Sequence, residues 1–216
     1  MTYVTERMNA DICCNLEQLQ KLLKSKADCI EIYVMKNQEG ELIVTPQNRN
    51  ISSMYLNEVF QTAKEYPEKK IDCYLKESDL EFEVLKLSKE MHLPNKLIYS
   101  GMVDLELIRK DKNQLPDIEV HLDIERLFPT IYQVAQSTEL EEYFYDFVYY
   151  SLFQSKKYEV ACVTMNHSLC VDQILYFMRL KQINCSVCIE NESYVEGKLL
   201  AQQVYNITRN VMGLSR

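Results

Sequence analysis

Three short stretches place residues able to carry charge or move a proton at two-residue spacing. Cys29–Thr45, reading CIEIYVMKNQEGELIVT, holds Glu31 and Tyr33; KIDCYLK holds Asp72, Tyr74 and Lys76; and EVHLD holds His121 and Asp123. Side chains alternate sides along a strand, so each of these sets shares one side, with Val120, Leu122 and Ile124 opposite His121 and Asp123. A carboxylate accepts a proton or ligates a hard cation, an imidazole titrates near neutrality, and an ammonium holds an anion. Brought together, Glu6, Glu31, Lys76, His121 and Asp123 make a candidate catalytic set with His121 as base. The plainer alternative is a mutually neutralised polar interior. Cys185 and Cys188 form a C-x-x-C inside the strand-like INCSVCIE. Structural zinc takes four ligands and no second pair is evident, so structural thiols are expected there.

Positioning these residues requires a regular alternation of strand and helix. The run CIEIYV alternates as a strand, Lys36–Gly40 is polar and turn-forming, and Leu42–Thr45 returns as a hairpin arm. Leu16, Leu19, Leu22 and Leu23 share a helical face that Asn15 is placed to cap, with Gln18 three residues on. Met54–Tyr66 reads as helix. A capping box at Ser78-Asp79-Leu80-Glu81 opens another. Strands are predicted at Tyr3–Thr5, Cys29–Val34, Ile71–Leu75, Lys96–Ser100, Ile118–Ile124, Phe147–Tyr150, Val160–Met165 and Ser186–Ile189. Helix is expected near Phe128–Phe144 and Leu169–Leu180, and a last helix from Ser193 buries Val195, Leu199, Val204, Ile207 and Val211. Eight strands separated by helices imply a (β/α)8 TIM-type barrel with shortened loops, one domain over residues 1–216. Such barrels carry function at the carboxyl ends of their strands. Apolar strand sides face the helices, which turns the polar sets inward.

Composition narrows the class of protein. The chain has 216 residues, 47% hydrophobic and 26% charged, as a globular domain does. Net charge is −8, from 32 acidic against 24 basic residues, and no Lys/Arg stripe appears, so no nucleic-acid partner is expected. Lys69-Lys70 and Lys156-Lys157 read as solvated surface. No apolar run approaches the roughly 20 residues of a membrane span, and the N-terminal MTYVTERMNADICC has no secretion-signal pattern. Eight scattered cysteines, several inside apolar runs, suit buried thiols in a reducing cytoplasm. Tyrosines cluster in EEYFYDFVYYSLF. They serve either as core at a helix-to-strand junction or, through Tyr143, Tyr145, Tyr149 and Tyr150, as a surface for a protein partner.

The order of segments resembles the glycerophosphodiester phosphodiesterase family. That family has an acidic E-x-D strand, a polar turn with glycine, a short apolar strand and then His-Asp, to which Cys29–Thr45 is similar. Asn15–Leu19 resembles its E-N-T-L-x-A-L helix. Tyr55-Leu56-Asn57-Glu58-Val59-Phe60 resembles its P-T-L-E-E-V helix, KKIDCYLKE its E-x-K strand and LIYSG the strand after it. LPDIEVHLDIE and VTMN are similar to segments of its fifth and seventh strands, and TERM to its opening strand with His-Arg.

What the resemblance implies is a family fold stripped of its chemistry. Members use paired histidines, about three carboxylates for a divalent metal, and Arg and Lys for the phosphate. Glu6 stands where the first His would be, Cys13-Cys14 replaces Glu-Asn, Tyr33 and Tyr74 replace carboxylates, and Pro46-Gln47 replaces His-Asp. Glu31 is the one retained metal-ligand position. Arg7 and Lys76 keep the basic positions and are the expected anion-binding pair for a small phosphate-containing ligand. The stretch between Thr45 and Met54 is also shorter than the family's insertion. Proline has no titratable group, and a divalent cation needs several oxygen ligands. A catalytically silent binding or interaction protein related to lipid-phosphodiester metabolism is therefore expected, with no cofactor. The alternative is a hydrolase with a rebuilt site, which would call for magnesium or calcium.

Overall fold

The structure, a computed structural model, describes residues 5–9, 15–45, 53–110, 118–127, 129–131, 146, 149–150, 153–154, 157–166, 181–189 and 206–209. The chain divides into two compact units, one centred on Glu6–Glu119 and the other on Val120–Arg209.

The first unit is built on four parallel strands: β1 (Thr5–Asn9), β2 (Cys29–Lys36), β5 (Lys70–Leu75) and β6 (Leu97–Gly101). Ile30, Ile32, Val34, Ile71, Cys73, Leu75 and Tyr99 lie on one side of this sheet and are buried. Between the strands run α1 (Leu16–Leu23), α2 (Leu56–Ala63), α3 (Glu81–Glu90) and, after β6, α4 (Leu105–Lys110). Leu19 and Leu23 of α1, and Leu56, Val59, Phe60 and Ala63 of α2, form their buried faces. Asn15 caps α1 as its sequence suggests, its Oδ1 accepting from the Gln18 N–H at 3.0 Å.

The predicted hairpin is present. β3 (Leu42–Val44) pairs antiparallel with β2, Val34 opposite Val44 and Lys36 opposite Leu42. Asn37 builds the turn: its Oδ1 accepts the N–H groups of Glu39 and Glu41, both at 2.9 Å. Gly40 takes φ +84, a left-handed conformation that suits glycine. Met54–Tyr55, expected to open a helix, instead forms β4 against β3, and α2 starts only at Leu56. The Glu58 carboxylate accepts the Tyr55 N–H there. Nor does Ser78–Glu81 form a capping box. Asp79 sits at φ +65, α3 begins after Leu80, and the Glu81 carboxylate is turned to the Asp104 N–H at 2.6 Å.

Lys69 departs most from its expected surface role. It is 8% exposed, and its ammonium donates to Ser25 O at 2.7 Å and Ala27 O at 2.6 Å. Asn95 completes the arrangement by donating to Tyr66 O and Lys69 O. Carbonyls of the turn before β2 thereby gain donors that no strand supplies.

The second unit also carries four parallel strands: β7 (Glu119–Asp123), β8 (Cys162–Asn166), β9 (Cys185–Ile189) and β10 (Asn206–Arg209). The short helix α5 (Ile124–Leu127) follows β7 directly. Two expectations are overturned. Tyr149 and Tyr150, placed in a sixth strand, are helical. Ile207, placed in a terminal helix, lies in β10, where it pairs with Val187. Val195, Leu199, Val204 and Val211 of that expected terminal helix, and the expected helix Leu169–Leu180, lie outside the described residues.

Candidate functional site

The polar face of the first unit is set by register. Glu31 lies beside Asp72, Tyr33 beside Tyr74, and Tyr74 beside Ser100, so these residues share the side opposite the apolar one. Asn9 pairs with Glu31 and Arg7 with Cys29, which puts Arg7 in the same row, while Glu6 takes the opposite parity on β1. Lys76 follows β5, its N–H donating to Val34 O at 2.9 Å.

Glu31, Tyr33 and Asp72 are buried. The Ser100 hydroxyl donates to Asp72 Oδ1 at 2.8 Å, so a neutral donor supports this carboxylate from the adjacent strand. Ser100 was not singled out from the sequence, although its two-residue spacing from Ile98 and pairing with Tyr74 place it in the row. The Tyr33 and Tyr74 rings meet edge to face with centroids 5.1 Å apart. The Lys76 ammonium lies 5.4 Å from the Tyr33 ring centroid, within cation–π range. Thr45, whose N–H donates to Tyr33 O at 3.0 Å, brings a buried hydroxyl with no hydrogen-bond partner among the described residues.

Gly101 closes β6 with φ +78. A Cβ there would stand 2.5 Å from Leu75 O and 2.9 Å from the Tyr74 ring. Tyr74 is thus held between Tyr33 and a glycine that cannot be enlarged without displacing backbone.

The donor set here is smaller than the one the resemblance implies for a divalent metal. Glu31 and Asp72 contribute neighbouring carboxylates, but the next positions on the same face of β2 and β5 are phenols, with an ammonium above one of them. Among the described residues no group of three or more His, Cys, Asp or Glu side chains is arranged to hold a metal. Cys185 and Cys188 lie three apart within β9, a spacing that puts two strand residues on opposite faces.

His121 and Asp123 occupy β7 of the other unit, His121 buried and Asp123 half-buried. Tyr150 is 60% exposed and Phe153 63%, whereas Tyr149 is half-buried. Residues 10–14, 46–52, 132–145 and 167–180 are outside the described set, and with them Cys13-Cys14, Pro46-Gln47, Tyr143, Tyr145 and His167. No helix among the described residues is long and apolar enough to cross a membrane.

The first unit repeats parallel strand and helix, the second carries four parallel strands, and solved structures place the whole chain in one class. No family model matches the chain, and no curated protein matches it. N-(5'-phosphoribosyl)anthranilate isomerase from Pyrococcus furiosus is similar at 16% identity and TM-score 0.56, covering 98% of this chain and 91% of that one. The fold is a (β/α)8 barrel. More particularly, it is similar to the barrels of glycerophosphodiester phosphodiesterases. The Agrobacterium tumefaciens enzyme is 12% identical at TM-score 0.64, covering 97% of this chain and 96% of that one. An Oleispira antarctica phosphodiesterase in complex with the product sn-glycerol-3-phosphate is 14% identical at TM-score 0.65, covering 96% and 93%. Identities this low establish the fold alone.

Proposed function

We propose that this chain is a phosphodiesterase-like barrel that binds a small phosphate-containing ligand at the carboxyl ends of its strands and does not hydrolyse it. The observation that carries this reading is the Tyr33–Tyr74 pair on β2 and β5, standing where the resemblance implies carboxylates, with the Lys76 ammonium above the Tyr33 ring. Lys76 supplies a point charge for the phosphate with no cation beside it, and Arg7, level with Cys29 and Lys70 in the register, is the second basic position to test. The Oleispira relative's complex with sn-glycerol-3-phosphate makes a lipid-derived glycerophosphate the first ligand class to test. No cofactor takes part, and the setting is cytoplasmic. The exposed aromatics of the Tyr149–Phe153 stretch form a surface for a protein partner.

The second reading, a hydrolase with a rebuilt site, rests on the buried Glu31 beside Asp72, with magnesium or calcium as cofactor. Glycerophosphodiester hydrolysis with and without either cation separates the two. No turnover is expected; turnover abolished by Glu31→Ala supports the hydrolase instead. Phosphate titration is expected to weaken about tenfold or more in Arg7→Ala/Lys76→Ala. Equal affinity in the double variant removes the proposed anion pair.

A further inference from the structure

We infer that the exposed aromatic stretch of the second unit pairs with itself, making the protein a two-fold homodimer. This rests on reading that stretch as a protein-contact surface and names the partner as a second copy of the chain. Asp146, Tyr149, Tyr150, Phe153, Gln154 and Lys157 are all helical, and the Tyr158 N–H donates to Gln154 O at 3.2 Å. Asp146, Tyr150, Phe153 and Lys157 are exposed, while Tyr149, Gln154 and Tyr158 are half-buried. The four exposed positions are separated by four, three and four residues. At 100° per residue they fall within about 60° of one helical face.

The order along that face is acid, ring, ring, base. It reads the same in reverse once the charges are exchanged between copies. An antiparallel pair of such faces, related by a two-fold axis between Tyr150 and Phe153, places Tyr150 against Phe153 of the second copy. The same operation places Asp146 opposite Lys157 at both ends. A two-fold interface requires this self-complementarity. A parallel pairing would instead align like charges. The Lys157 ammonium lies 4.9 Å from the Tyr158 ring centroid, its hydroxyl 3.4 Å away; neither contact neutralises its charge. Two rings per copy, both more than half exposed, are an apolar centre flanked by charge, as in an interface core with a polar rim. Two rings per copy are a small contact, so the association is weak and concentration-dependent.

Sedimentation velocity over a concentration series tests this on the full chain. The wild type is expected to shift toward dimer with concentration, and Tyr150→Ser/Phe153→Ser to stay monomeric. Asp146→Lys and Lys157→Asp should each weaken the dimer several-fold by opposing like charges, and the double exchange should restore it. Hydroxyl-radical labelling, read alongside, should find Tyr150 and Phe153 reactive in dilute protein and protected at high concentration. Two results overturn the inference: a wild type monomeric throughout, or a double exchange no tighter than the single ones. Rings that stay reactive in a monomeric protein leave the surface free for another partner, whereas rings protected in dilute monomer remove the surface itself.

Discussion

Tyr99 shows how one buried group sets the protein's behaviour in alkali. Its hydroxyl donates to Glu81 O at 3.2 Å, and its pKa is raised, chiefly by burial and further by the neighbouring Cys73 and Glu81. Burial likewise pushes the Cys73 thiol well up. For both, the neutral protonated form is the one that is folded. Their contribution is complete below the ordinary thiol and phenol values and is lost as pH rises beyond them. Above about pH 10, where an unfolded tyrosine ionises, Tyr99 alone should cost about 1.4 kcal/mol of stability per pH unit. Tyr99→Phe should lose about 1 kcal/mol at pH 7 from the missing hydrogen bond, yet show a shallower fall above pH 10. Urea titrations from pH 7 to alkali measure both effects. At this scale the sequence was readable where a residue's meaning follows from its own alternation, as for Glu31, Tyr33, Tyr74 and Lys76. It was not readable for Lys69, whose acceptors lie 42 and 44 positions earlier in the chain.

Among the elements, β6 is the most sensitive to a single atom. Gly101→Ala forces a side chain onto Leu75 O and the Tyr74 ring at a left-handed φ, and should destabilise the protein by about 2–4 kcal/mol. A lower urea midpoint with an unchanged denaturant slope is the expected signature. The same substitution should loosen the Tyr33–Tyr74 contact, visible as a change in near-ultraviolet circular dichroism. Strands β2, β5, β6, β7 and β8 were legible because each alternates and is bounded by turn-forming residues. FVYY misled because aromatic and β-branched residues favour strands only weakly, and exposure at helical spacing governs there. β10 was missed for a different reason. Asn206–Arg209 is four residues long, and its extended form is fixed by pairing with β9, a partner that periodicity within the segment cannot report.

Across the whole molecule, the proposed reading makes metal irrelevant to stability. Anything that binds the folded state raises its melting temperature by mass action. Excess EDTA, magnesium or calcium is therefore expected to leave Tm unchanged, while glycerophosphate should raise it in the wild type and not in Arg7→Ala/Lys76→Ala. Differential scanning fluorimetry reads all of these, and a rise of Tm with magnesium or calcium would contradict the metal-free reading. The barrel class was legible from the ordered succession of segments, since eight strands alternating with helices admit few architectures. Among the described residues eight strands pair in parallel, with β10 present and the strand expected through Tyr149 and Tyr150 helical instead.

Lys69 also offers a way to watch the first unit open. An amine must shed its proton and meet reagent before it can be methylated, and this one is 8% exposed with two carbonyls as acceptors. Exposed lysines such as Lys21 and Lys86 should be labelled within the dead time of a reductive-methylation course. Lys69 should lag far behind them, at a rate set by how often the turn before β2 parts from β5. Its lag is a chemical clock, already present in the wild-type chain, for local unfolding at the amino ends of β2 and β5.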